Sequence, residues 1–335
     1  MAGSYKIASF NACNLSFNSS LEKLEYIAGI IKDENLGLDI VAVQEVLHEG
    51  RAWSGADVES EINQRFLKYN LPGWECKYCR PSKENSRTSD TRGEGFFFMW
   101  KTSSFRLAEY KEPDSEEIKI FEPRIINELT YETKKEIPPM ARMPMFARFV
   151  ANNNSMIELR LINIHLYEGG YYGFGARQEE FWTVINEIYS GVQAASYGSG
   201  VKPYTIVMGD YNLIINDELA YKADILDRDS PYIEAINVND DGDRILTQQE
   251  KPTSLRDPFV DENGEEQMPE DPYKNNYDHF SYDMDRFDSN GLQVDVRRLT
   301  MEECIKKSPK KYKTKELEYR KIISDHVPVV MEITF

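Results

Sequence analysis

Residues 5–10 (Tyr-Lys-Ile-Ala-Ser-Phe) alternate in the manner of a strand. Residues 38–43 (Leu-Asp-Ile-Val-Ala-Val) form a short run whose continuous apolarity predicts burial on both sides. Three more strands are predicted over 94–100, 145–150 and 157–164, with Asn152, Asn153, Asn154 and Ser155 turning the chain between the last two. Residues 204–208 follow as another, and 292–296 and 327–333 supply two near the C-terminus. The helical period appears at two places. Ser19 and Glu22 have capping-box spacing ahead of Leu21, Leu24, Ala28 and Ile31 on one face. Phe181, Val184, Ile185 and Ile188 mark the second helix. Many strands with few helices between them predict an α/β fold of two packed sheets with helices outside, in one domain over residues 1–335. No Gly/Ser linker or internal repeat divides the chain.

Composition narrows the function classes. The chain has 335 residues, is 41% hydrophobic and 29% charged, which excludes a disordered tail. Its longest apolar stretches, such as residues 96–100, fall far short of the roughly 20 residues a bilayer span needs. Lys+Arg 40 against Asp+Glu 57 gives a net charge of −17, which argues against a surface coated with phosphate-binding cations. Charge is also segregated. Residues 257–271 carry many carboxylates and no basic residue, and are expected to form a solvated, mobile loop. Residues 306–321 are the reverse, rich in lysine, and read either as a DNA-backbone contact or as a solvated loop.

The N-terminus has no basic region followed by an apolar stretch and a cleavage site, so the expectation is a cytoplasmic protein, or a secreted one if a leader has been removed. Cys76 and Cys79 have the spacing of half a zinc ribbon or a redox pair, but nothing completes the set. Ordinary thiols or a local disulfide are the expectation.

Candidate chemistry lies where apolar strands finish. Asn11, Gln44-Glu45, His165, Asp210 with Asn212, Asp278-His279 and Ser324-Asp325-His326 each stand at such a point. Glu, Asp and Asn oxygens are hard ligands suited to Mg²⁺ or Mn²⁺. Histidines placed with carboxylates can move protons near neutral pH. Together these suit in-line attack of water on a phosphate ester. His279 points away from Asp278 by strand alternation and is expected to pack, and His48 is expected at the surface or a helix start.

The ordered motifs resemble the endonuclease/exonuclease/phosphatase superfamily, most closely its deoxyribonuclease I branch. They are Ser9-Phe10-Asn11, Gln44-Glu45, the Glu94 strand, Ala141-Arg142-Met143-Pro144, Asn163-Ile164-His165, Gly209-Asp210-Tyr211-Asn212, Tyr277-Asp278-His279 and Ser324-Asp325-His326. The resemblance implies a four-layer αββα sandwich with the active site at one end of the sheets. It implies Glu45 as the principal Mg²⁺ or Mn²⁺ ligand, assisted by Asn11 and Asp325. His165 would pair with Glu94 and His326 with Asp278, while Arg142, Asn212 and Thr253 would hold the scissile phosphate. Asp210 is left as either the base or part of a second metal site. Residues 103–139 and 214–276 read as long loop insertions beside the substrate groove.

The resemblance therefore implies a divalent-metal-dependent phosphodiesterase, first of all a DNA endonuclease with a nucleic-acid substrate and no membrane insertion. A phosphomonoesterase or phosphoinositide phosphatase on the same scaffold is the alternative, and a catalytically silent binding module is the rival from another class.

Overall fold

Alternation decides which layer each side chain fills. Along the strand Glu94–Lys101, Phe96, Phe98 and Trp100 point into a cluster shared by two sheets, while Phe97 and Met99 point the other way. A computed structural model describes residues 3–16, 18–47, 55–67, 71–80, 94–111, 116–126, 137–138, 140–154, 156–168, 174–197, 201–214, 223–225, 233–239, 241–249, 251–306 and 311–335. Its first sheet has six strands in the order Gln293–Arg298, Val329–Thr334, Ser4–Leu15, Ile40–Leu47, Glu94–Lys101, Trp74–Cys79. The second runs Ala223–Ile225, Ile233–Val238, Arg244–Gln249, Asp278–Asp283, Lys202–Asp210, Ile157–His165, Met145–Ala151, Phe105–Leu107.

Three apolar clusters separate four layers. Between the sheets, Ile7, Ala42 and Phe98 of the first meet Leu159, Ile206 and Phe280 of the second. Outside the first sheet, Leu24, Ile27 and Ala28 of the helix Leu21–Ile31 cover Phe10, Val41 and Val43. Outside the second, Phe181, Val184 and Ile188 cover Ile162, Ile164 and Val207. This is the αββα sandwich. Pairing is mainly antiparallel, with one parallel pair at the centre of each sheet.

Several expectations shift. The first helix is capped by Ser20, whose hydroxyl accepts from Lys23 N at 3.1 Å, because Ser19 Oγ is taken by the backbone N–H of Ser16. Leu21, expected on the apolar face, is 57% exposed as a result. The 38–43 strand does not stop before Glu45: it runs Ile40–Leu47, with its register shifting between Val43 and Val46. The region 214–276 is not one loop, since Ala223–Ile225, Ile233–Val238 and Arg244–Gln249 extend the second sheet. Within 103–139, Phe105–Leu107 and Arg124–Ile125 pair with Met145–Ala151.

The acidic segment 257–271 is also structured, around the small hairpin Phe259–Val260 and Glu266–Gln267. It ion-pairs with the basic run, much of which is the helix Lys315–Ile322. Lys313 pairs with Glu265, Arg320 with Asp257, and Lys321 with Glu266 at 2.6 Å. Lys306 and Lys311 reach Asp33 and Glu22. These cations are committed within the chain.

Cys76 and Cys79 are free thiols on opposite faces of one strand, each hydrogen-bonded to its own partner, Asn63 and the Pro123 carbonyl. Burial pushes both thiols up, Cys79 to about 12, so neither is a thiolate. His48 lies outside the described residues. Among the described residues, no helix is long and apolar enough to cross a membrane.

Candidate active site

Parallel pairing fixes where the polar strand ends meet. Asn11 registers with Gln44 in the first sheet, and His165 with Asp210 in the second. Parallel neighbours finish at the same end, so these residues arrive together. Asp278 joins them as the antiparallel partner of Asp210. Ser324, Asp325 and His326 arrive just ahead of Val329–Thr334, which pairs with Ser4–Leu15.

A buried polar link ties the two sheets beneath this end. Gln44 Nε2 donates to Asn163 Oδ1 at 2.6 Å, and Asn163 Nδ2 donates back to the Val43 carbonyl at 3.2 Å. Gly209 lets the strands approach: its φ is +147°, and a Cβ there would stand 1.9 Å from the Ile164 carbonyl oxygen. Among the described residues, the non-glycine positions with positive φ are Cys13, Asn14, Glu45 and Asn212, at 44°, 61°, 55° and 50°. All four belong to this end of the sandwich, where strain is held by surrounding contacts.

The site is a bonded network around Asp210. Asn11 Nδ2 donates to Asp210 Oδ2 at 2.9 Å and to Glu45 Oε1 at 3.0 Å, bridging the sheets. The other Glu45 oxygen accepts from Asn14 N at 3.0 Å. Asn212 N donates to Asp210 Oδ1 at 2.8 Å. Ser324 Oγ donates to the Asn11 carbonyl at 2.7 Å and accepts from His326 N at 3.0 Å.

The two imidazoles face Asp210 from either side. His326 Nδ1 lies 2.8 Å from Asp278 Oδ2, which turns its Nε2 toward Asp210 at 3.7 Å. His165 Nδ1 lies 3.2 Å from Glu94 Oε2, and its Nε2 is 3.7 Å from Asp210 and 4.0 Å from Glu45. Burial disfavours a charged His326, but Asp278 and Asp210 outweigh it and raise its pKa well above the ordinary value. Burial likewise raises the Glu94 carboxyl. The hydrogen bond and charge of His165, then Arg142, overcome this and hold it at about 2.

Arg142 is ion-paired with Glu94 through Nε and donates from Nη1 to the Leu166 carbonyl at 3.3 Å. Asn212 Nδ2 donates to the same carbonyl at 3.1 Å. Thr253 lies next to Asp278. It is fully buried, and its hydroxyl accepts from Tyr277 N and Asp278 N at 3.1 and 3.2 Å, so it steadies Asp278. His279 packs edge-on against Tyr211 with Nε2 on the Leu213 carbonyl at 2.9 Å, and burial lowers its pKa to about 4.

Glu180 has no individual signal in the sequence. Glu180 is buried on the helix Phe174–Thr183 and accepts from Ala141 N and, at 2.8 Å, from Tyr167 N, fixing the segments that carry Arg142 and His165. Tyr277 stacks on His326 with ring centroids 6.3 Å apart. Gln44 and Asn163 were visible as motif members, but not as a bond between sheets.

No protein-family model matches the sequence, and no curated protein is detectably similar to it. Solved structures do match, over the whole chain. An endonuclease/exonuclease/phosphatase family protein from Bacteroides thetaiotaomicron shares 16% identity at a TM-score of 0.53, covering 100% of this chain and 96% of that one. The fold is that of the endonuclease/exonuclease/phosphatase proteins. Truncated TDP2 from Caenorhabditis elegans matches at 13% identity and TM-score 0.51, covering 99% of this chain and 98% of that one. TDP2 from D. rerio complexed with a single-strand DNA product matches at 12% identity and TM-score 0.52, with 99% of each chain covered.

Proteins of this fold imply a divalent cation, and the donors present fit a hard one. Glu45 and Asp325 are 17% and 40% exposed, so both carboxylates are open to an ion. Asn11 turns its amide nitrogen to Glu45 and Asp210 while its oxygen accepts from Cys13 N at 2.9 Å, so as placed it bridges carboxylates. Asp210, Asp278 and His326 offer a second cluster, with ligand atoms within 4.8 Å of one another.

Proposed function

We propose that the chain is a divalent-metal-dependent phosphodiesterase that cleaves nucleic acid, as a DNA endonuclease. The observation that carries this reading is the pair of carboxylate-held imidazoles aimed at one carboxylate, each Nε2 3.7 Å from Asp210 Oδ2. Imidazoles oriented by carboxylates suit proton transfer to and from the oxygens of a phosphate ester. The DNA product held by the D. rerio TDP2 of the same fold supports a nucleic-acid substrate.

Each group has a role in this reading. Arg142 and Asn212 donate to phosphate oxygens that gain charge in the transition state. Asp210 or His165 takes the proton of the attacking water. His326, held by Asp278 at 2.8 Å, donates from Nε2 to the departing oxygen. Glu45 and Asp325 hold Mg²⁺ or Mn²⁺, which supplies charge neutralisation at the phosphate when bound. The net charge of −17 fits a site that engages DNA weakly without a cation.

The test is nicking of supercoiled plasmid DNA with Mg²⁺, Mn²⁺ or chelator, beside phosphate release from phosphoinositides, with His165→Ala as the blank. Metal-dependent nicking lost in the blank is expected. Phosphate release without nicking would replace the reading by a phosphomonoesterase, and no turnover of either would leave a binding module.

A further inference from the structure

The strand Ser4–Leu15 departs from regular geometry at Cys13 and Asn14, with φ of 44° and 61°, where its register with Ile40–Leu47 shifts. Two consecutive left-handed residues that are not glycine persist only where neighbours over-determine them. Here three bonds do so. Cys13 N donates to Asn11 Oδ1 at 2.9 Å, Asn14 N donates to Glu45 Oε2 at 3.0 Å, and Lys23 Nζ donates to the Cys13 carbonyl at 2.7 Å.

The first two bonds lie within the cluster itself, so the Lys23 bond is the anchor from outside. Its backbone is fixed by the Ser20 cap, at the start of a helix whose Leu24, Ile27 and Ala28 are locked into the core. The charges of Glu45 and Asp325 also act on its ammonium. We propose that Lys23 is a positioning residue for the cation site: it pins the Cys13–Asn14 turn, whose Asn14 N–H holds the second oxygen of Glu45. The inference rests on the reading of Glu45 and Asp325 as metal-holding carboxylates.

Two effects of opposite sign follow from the ammonium. Pinning the turn presents Glu45 in one orientation and strengthens cation binding, as partners behind metal ligands do. Its positive charge repels the cation and weakens binding. On this proposal pinning, made through the 2.7 Å bond to the Cys13 carbonyl, is the larger effect.

The test is Mn²⁺ binding by calorimetry on the intact chain without substrate. Lys23→Met is expected to weaken Mn²⁺ about tenfold, while Lys23→Arg, which keeps donor and charge, stays within about twofold of the wild type. Asn14→Gly accepts the positive φ and retains its N–H, so it binds as the wild type does, whereas Asn14→Val weakens binding as Lys23→Met does. Equal thermal midpoints of the metal-free variants show that each has folded. Unchanged or tighter Mn²⁺ binding by Lys23→Met beside a binding wild type overturns the proposal alone. A wild type that binds no Mn²⁺ overturns the metal reading and this proposal with it.

Discussion

The Oδ2 atom of Asp210 lies 3.7 Å from Nε2 of His326. That is too long for a direct hydrogen bond, so the two groups converge without being paired. His165 Nε2 stands at the same distance, so one carboxylate oxygen serves two imidazoles, one from each sheet.

Asp210→Asn keeps the shape and removes the proton acceptor. It is expected to lower kcat on plasmid DNA by about 10²–10⁴-fold, with a smaller change in KM. Steady-state kinetics at saturating Mg²⁺ measure this, and an unaltered kcat would remove Asp210 from the chemistry.

Glu94 links the site to acid stability. Its folded carboxyl sits at about 2 against an ordinary 4.5, so its contribution is present above the unfolded value and lost as pH falls toward 2. Wild-type stability in urea is expected to drop more steeply between pH 5 and 2 than that of Glu94→Gln, by up to about one proton's worth, ~1.4 kcal/mol per pH unit. Parallel slopes for the two proteins would contradict this assignment.

The Gln44–Asn163 bond should behave as a coupled pair. Gln44→Leu alone leaves the buried Asn163 Oδ1 without its donor and is expected to cost about 1–3 kcal/mol. Asn163→Leu alone leaves Gln44 Nε2 with only Ser9 Oγ at 3.2 Å, beside an Oε1 that has no hydrogen-bond partner. The double variant is expected to cost less than the sum of the singles. A double-mutant cycle by denaturant unfolding decides it, and strict additivity would mean that the bond couples nothing.

Gly209→Ala meets the Ile164 carbonyl at 1.9 Å with φ at +147°, so the strands must separate. A loss of more than about 3 kcal/mol in urea unfolding is expected. A variant as stable as the wild type would show that the strand can move.

Charge reversal at Lys313 and Lys321 is expected to leave the salt dependence of DNA binding unchanged, because both already pair with Glu265 and Glu266. Filter binding across a salt series measures the slope. A flatter slope in the variant would return these lysines to the DNA interface.

The layers were legible because each follows from side-chain period along one strand or helix. Phe96, Phe98 and Trp100 against Phe97 and Met99 divide two cores without any knowledge of partners. Motif order marked the strand ends that carry Glu45, His165, Asp210 and His326. Other features depended on distant chain segments. The cap moved from Ser19 to Ser20 because Ser16 took the first hydroxyl, and Glu45 fell inside a shifted strand. The acidic stretch reads in the sequence as a solvated loop and the basic one as a DNA contact or a solvated loop, yet they satisfy each other.

The sequence by itself determined the sandwich and the chemical types at its strand ends, since periodicity and residue identity are local properties. Only the tertiary structure decided that Asp210 stands between two imidazoles, that Thr253 supports Asp278, and that Lys23 reaches the Cys13 carbonyl. Those are distances between residues far apart in the chain, set by parallel register and by the packing of a helix on a sheet.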